Sequence, residues 1–467
     1  MPRIYFDTNI YSNLKGSLDT KYRELNRLLL EYQPVLSIYF SYALIRDKRK
    51  DLTDRKFEDF KYIETWTGNN YIAYDPLEKR TSFYLATPTM VFNDNPEDDM
   101  NGLLNFFDAA DDEDEMIKAI PKTLFSNIPI PLDRDSLNKV PDEQKRVLNE
   151  IMPFDKEHPT LFHVMENMTV FTQKIFADSS LYKQLRNMLY DSINGGRLIL
   201  NDDLAFNEAL KSTIVQKSFL EFVEDNLKMN HKNGVPFYDY YHSAYNMLDM
   251  LGIKKDKITA KNTLNNVHTD GMHSYFAHYC DYFVTDDANV AIKSKALYKM
   301  MGIDTMVVSV EEFIISLQEI YAANFETLDF FRHKLVDDLQ QAERIHPDIV
   351  GDKTIYRFSR NHRYLTFFDA ILEVRGEGII QLVIFKGESN LLSEPGFSEQ
   401  AKIIKNCLFT FGSDIDNRGE FHYPVKGAEG QESIERTWLI GNLIFELRHY
   451  ELIDKYSLVI TFPTVTN

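Results

Sequence analysis

Thr269-Asp270-Gly271-Met272-His273, with Ala277 beyond it and then Asp281-Tyr282-Phe283-Val284-Thr285-Asp286-Asp287, is the stretch that decides how this chain is read. Asp270, His273 and Ala277 stand at i, i+3 and i+7, so on a helix they share one face. That stripe is polar and then small, while Met272, Tyr275, Phe276 and Tyr279 take the apolar sides. A carboxylate and an imidazole above a small residue suit a site packed close to another backbone. The next segment is an apolar strand whose C-terminal tip carries a hydroxyl and two carboxylates.

Working outward, the chain offers a second acid in the same kind of place. Arg3-Ile4-Tyr5-Phe6 reads as a short buried strand that ends at Asp7-Thr8-Asn9. The C-terminal edge of a parallel sheet is where α/β folds place their ligands, although Asp-Thr-Asn alone also opens an ordinary Asx turn. A helix over 20–32 follows, with Leu25, Leu28, Leu29 and Tyr32 on one face. Pro34 introduces a strand over 35–38, and another helix starts at about Ser41. This β-α-β-α opening predicts a parallel sheet with helical crossovers. Helical periodicity returns over 204–227 and 237–251. A second α/β block then runs helix 259–280, strand 282–284, helix 288–301 and strand 305–310, with Gly302 stopping the second helix.

With these pieces in place, the sequence resembles the PIN-domain nucleases. The pattern of that family is an early strand ending in Asp-Thr-Asn or Asp-Thr-Ser, then an Asp-x-x-His-x-x-x-Ala helix, then a strand ending in Thr-x-Asp. The resemblance covers roughly residues 1–68 and 204–316. It implies an α/β fold, a PIN-like parallel sheet flanked by helices with an acidic cluster at one edge. It further implies a bound Mg²⁺ or Mn²⁺ that serves RNA phosphodiester hydrolysis. Asp7, Asp270 and Asp287 would be ligands directly or through water, with Asn9, Thr285, Asp286 and His273 supporting them. By its residue type alone, His273 reads first as a structural histidine bonded to a backbone carbonyl.

One departure stands out. The family usually places a Glu on the helix after the second strand, and this chain has Ala43 there. Asp47 lies one turn further along the same face and could supply the missing metal ligand. Arg46, Lys48, Arg49 and Lys50 form the most basic short run near this position and are candidate phosphate contacts.

Composition bounds the rest. A length of 467 residues asks for two or three structural units. The boundaries expected are a first core segment 1–68, a mainly helical insertion 69–203, a second core segment 204–316, a helical connector 317–347 and an α+β C-terminal domain 348–467. Within that last domain, 364–374, 378–385 and 456–462 read as strands and 432–450 as a helix. The net charge of −19 is unusual for a phosphate-binding enzyme, but 94–115 alone holds ten carboxylates and no Lys or Arg. Two cysteines, Cys280 and Cys407, exclude a disulfide framework and a four-cysteine zinc site. The longest uncharged apolar stretch, 33–45, is too short to span a membrane, so a cytoplasmic protein is expected.

The sequence therefore predicts a metal-dependent endoribonuclease, fitting a toxin or defence effector, with a regulatory protein or a second copy as further partners. Two rivals are an inactive PIN-like scaffold and a structure-specific DNA nuclease. Arg357 with His362, and Asp369 with Lys386, echo other nuclease motifs, but their surroundings do not match.

Overall fold

The computed structural model describes residues 1–94, 205–213, 215–228, 234–251, 264–320, 327–345, 347–359, 362–376, 378–387, 394–421 and 434–463, with a few positions in 180–187. The acidic run after Asp94 and most of the expected insertion lie outside them.

The first half of the chain runs β1 (Arg3–Phe6), α1 (Thr8–Gly16), α2 (Thr20–Tyr32), β2 (Ser37–Ser41), α3 (Tyr42–Arg49), α4 (Arg55–Thr67), β3 (Asn70–Asp75), β4 (Arg80–Leu85) and α5 (Pro88–Asp94). After the insertion come α6 (Ala205–Ala209), α7 (Phe219–Lys228), α8 (Phe237–Met250), α9 (Leu264–Ala277), β5 (Tyr282–Val284), α10 (Ala288–Met301), β6 (Met306–Val308) and α11 (Val310–Ile320). Their six strands form one sheet of order β4-β3-β2-β1-β5-β6. All neighbours are parallel except β4, which folds back antiparallel on β3. The hairpin β3–β4 therefore extends the sheet past residue 68, the boundary expected for the first core segment.

Burial on both faces explains the near-continuous apolar strands. Tyr5, Tyr39 and Phe283 face a core shared with α8 and α9. Ile4, Phe6, Ile38, Phe40 and Val284 face the opposite core, shared with α2 and α11. Gly271 brings α8 and α9 together, because a Cβ there would approach Tyr245 Cδ1 to 3.0 Å.

The second unit begins with α12 (Leu328–Gln341) and continues through β7 (Asp348–Val350), β8 (Lys353–Arg357), β9 (Ala370–Gly376), β10 (Ile379–Phe385), α13 (Phe397–Phe411), β11 (Arg436–Ile440), β12 (Leu443–Tyr450) and β13 (Lys455–Pro463). Its seven-stranded antiparallel sheet has the order β11-β12-β13-β10-β9-β8-β7. Phe331 of α12 and Ile403, Ile404 and Cys407 of α13 pack with Leu382, Phe445 and Leu458. The helix expected over 432–450 is instead the hairpin β11–β12. Gly441, at φ +63°, makes the turn, and Phe445, Leu447 and Tyr450 are the buried positions of β12. Ile434 and Trp438 have helical spacing, but the turn residue overrides it.

The two units are joined through β1. Arg3 is fully buried, and its guanidinium grips Glu399 of α13 at 2.8–3.2 Å. The same guanidinium donates to the Glu394 carbonyl at 2.6 Å. Asp281 accepts from the Arg3 backbone N–H at 2.7 Å and pairs with Lys386 at 3.3 Å. Burial opposes ionisation of Asp281, yet Lys386 and Arg363 hold its carboxyl at about 2. Among the described residues, no helix is long and apolar enough to cross a membrane.

Candidate metal centre

Three segments meet at the C-terminal edge of the parallel sheet. Asp7 follows β1 directly; Asp47 comes from α3, whose first turn is capped by the Ser41 hydroxyl accepting from Ala43 N–H. His273 comes from α9, across the sheet edge. One ligand atom from each of Asp7, Asp47 and His273 lies within 4.8 Å of the others. Asp7 and His273 are buried and Asp47 partly so.

Each member is held by named contacts. Thr285, at the tip of β5, donates its hydroxyl to Asp7 Oδ2 at 2.7 Å. Thr8 Oγ1 donates to Asp47 Oδ2 at 2.9 Å and lies 3.1 Å from His273 Nε2. His273 Nε2 lies 3.0 Å from Asp47 Oδ2. On the other side of the ring, Nδ1 is 2.9 Å from Tyr5 OH, which is 2.6 Å from Ser41 Oγ. His273 is therefore held by side chains on both nitrogens, where a backbone carbonyl was expected.

The electrostatics of the two acids diverge. Burial pushes the Asp7 carboxyl above its ordinary value, against the pull of His273 and the Thr285 hydroxyl; the charges of Asp47 and Asp287 push it further. Burial also penalises Asp47, but His273 and Lys50 prevail and hold it far below the usual carboxylate range. A buried acid that is costly to ionise beside two others suits a cation, which would offset their repulsion.

The other expected residues divide. Asp287 is near enough to act on the charge of Asp7, while its Oδ1 caps α10 by accepting from Asn289 and Val290 N–H at 2.8 and 3.1 Å. Asp270 is partly buried one turn before His273, outside the group of three. Asn9 is exposed on the first turn of α1. Asp286 faces elsewhere, accepting from Tyr22 OH at 2.5 Å and Val310 N–H at 3.1 Å and pairing with Lys21 at 2.9 Å.

The basic run is largely committed within the protein. Lys48 pairs with Asp59 and Lys50 with Asp47, both at 2.8 Å. Arg49 donates to the Phe92 carbonyl at 2.8 Å and stacks over that ring, and Arg46 reaches Met272 Sδ at 3.5 Å. The pairs set aside in the sequence also have structural partners: Lys386 on Asp281, Asp369 accepting from Gly387 N–H at 2.6 Å, and His362 Nδ1 2.8 Å from Asp338 Oδ1.

Sequence reasoning missed Thr8 and the Tyr5–Ser41 pair. The alternation of β1 was the available signal, since it turns Tyr5 to the same face as Tyr39 and Phe283. No known protein family, no curated protein and no solved structure matches this chain.

Proposed function

We propose that this protein is a metal-dependent endoribonuclease with a PIN-like catalytic unit. The observation that carries the reading is the convergence of Asp7, Asp47 and His273 at the C-terminal edge of β1. Two carboxylates and an imidazole form a donor set that fits Mn²⁺ and, through its oxygens, Mg²⁺. Asp47 then takes the place of the acid absent at Ala43. A bound divalent cation would lower the pKa of a water and offset charge gathering on the scissile phosphate.

The remaining work belongs to the chain's own residues. Asp7 and Asp47 supply anionic oxygens, and Thr285 fixes the rotamer of Asp7. When Tyr5 OH accepts from His273 Nδ1–H, Nε2 is the nitrogen that carries a lone pair toward the site; when Tyr5 donates to Nδ1, Nε2 carries the hydrogen. Asp287, and Asp270 one turn before His273, would bind waters rather than the ion itself. RNA as substrate rests on the resemblance in the motifs.

The experiment is a cleavage assay on tRNA, ribosomal RNA and single-stranded DNA with Mg²⁺ and with Mn²⁺. Asp7→Asn is expected to abolish RNA cutting while leaving the circular dichroism spectrum unchanged. Cutting of none of the substrates, together with calorimetry showing no bound metal, would overturn the reading. One observation favours an inactive scaffold as the second reading: Lys48 and Lys50, nearest the site, already neutralise protein carboxylates.

A further inference from the structure

At the opposite end of the parallel sheet, a cavity of about 380 Å³ opens between the first unit and α13. That volume lies within the roughly 300–1,000 Å³ of small-molecule sites. Leu36, Ile38 and Trp66 supply apolar wall from the first unit, while Ser398 and Lys402 come from the second. Asn70 and Gln33 also border it, and one amide N–H of each donates to a backbone carbonyl, of Ile38 and Thr65 respectively, both at 3.1 Å.

The charge pattern is one-sided. In a chain of net charge −19, Lys402 is, among the described residues, the single charged one lining this cavity, and none of those lining it is acidic. Its ammonium donates to the Leu36 carbonyl and, at 3.4 Å, to that of Gln33, which leaves the third N–H without a partner among the described residues. Burial lowers this ammonium to about 8, opposed only by the more distant Glu399, whose carboxylate is taken by Arg3. Ser398 stands one turn earlier on the same face of α13 and lines the cavity; its hydroxyl has no hydrogen-bond partner among the described residues, is closed to solvent in its present rotamer, and would reach a ligand head by rotation about Cα–Cβ. It is also the second residue of a 15-residue helix, where the backbone dipole favours negative charge.

We propose that this cavity binds a small organic carboxylate, its anionic head on Lys402 and Ser398 and its apolar body against Leu36, Ile38 and Trp66. One ammonium balances one negative charge, so a monoanion with an apolar tail fits better than a phosphate dianion. Because the walls come from both units, the ligand would fasten them together. This site is remote from Asp7 and independent of what happens there.

Trp66 and Trp438 are the only tryptophans in the chain. The Trp438→Phe full-length protein therefore reports on the cavity through Trp66 fluorescence. Hexanoate is the probe, with 1-hexanol as its neutral counterpart and inorganic phosphate as an anion without a tail. A saturable change with hexanoate below roughly 10 mM, at least tenfold tighter than with hexanol or phosphate, is expected. Lys402→Met should weaken it at least tenfold and Ser398→Ala several-fold. Ser398→Ala removes only an unbonded hydroxyl and so keeps the test usable if Lys402→Met does not fold. No saturable response to hexanoate, equal responses to hexanol, or unchanged binding in both variants would overturn the proposal.

Discussion

Asp47 Oδ2 lies 3.0 Å from His273 Nε2, so a single oxygen of α3 meets the imidazole that α9 presents across the sheet edge. With Thr8 on the same oxygen, that contact closes the site on the side where Ala43 leaves it without an acid.

Asp47→Asn keeps the shape of this side chain and removes its charge. Mn²⁺ affinity is expected to fall at least tenfold, about 1.4 kcal/mol. Asp270→Asn, outside the group of three, should change it less than Asp47→Asn. Titration calorimetry on the two variants makes the comparison, and the reverse order would assign Asp270 to the metal instead.

Asp7 carries a carboxyl whose pKa is raised by burial, so its charged form is disfavoured in the folded protein. Its destabilising effect is present above the folded pKa and is relieved as pH falls and the group protonates. Asp7→Asn is therefore expected to raise the melting temperature of the metal-free protein by roughly 1–3 °C at pH 7. The gap should close as the pH is lowered. Differential scanning fluorimetry in EDTA reads both effects.

Removing the Tyr5 hydroxyl takes a partner from both Ser41 and His273. Tyr5→Phe should cost about 1–3 kcal/mol in urea unfolding. If Tyr5 orients His273 as a ligand, metal affinity should also fall by roughly 10–100-fold. A loss of stability with unchanged metal binding would confine Tyr5 to packing.

The imidazole gives the site a nitrogen that carboxylate-only sites lack. Mn²⁺ is expected to bind more tightly than Mg²⁺, and His273→Gln should narrow that preference. Pulsed electron paramagnetic resonance of the Mn²⁺ form should show coupling to a ¹⁴N nucleus, lost in the variant. Its absence in the native protein would remove His273 from the ligands.

Arg3→Met breaks a fully buried ion pair and leaves Glu399 charged without its partner. A loss of roughly 3–5 kcal/mol is expected, partly recovered in the double variant with Glu399→Leu. Guanidinium unfolding of the two variants tests this.

The sequence made the sheet legible because two of the strands at the site, β1 and β5, run directly into acids. Asp7 after β1 and Asp287 after β5 follow from the switch between a short, nearly continuous apolar run and a polar turn. Asp47 was reachable by counting one helical turn from Ala43. The Tyr5–Ser41–His273 chain was not, since its members are 36 and 268 positions apart and each residue type is at home in a core. The partners of the basic run were hidden for a related reason: Lys48 meets Asp59 from the next helix, which spacing within α3 cannot show. The β11–β12 hairpin was hidden because Ile434 and Trp438 satisfy a helical period as well.

The grip of Arg3 on Glu399 spans 396 positions of sequence. Contacts of such range form late, after the intervening chain has been made and has closed its own loops. During synthesis β1 leaves the ribosome well before β5, which pairs with it, and α13, which carries Glu399. Asp7 must wait for Thr285, and Arg3 for Glu399. A chain in which α9 and β5 have yet to be made thus carries Asp7 without the Thr285 hydroxyl and the His273 imidazole that set its character, and whatever chemistry this edge performs must wait for both.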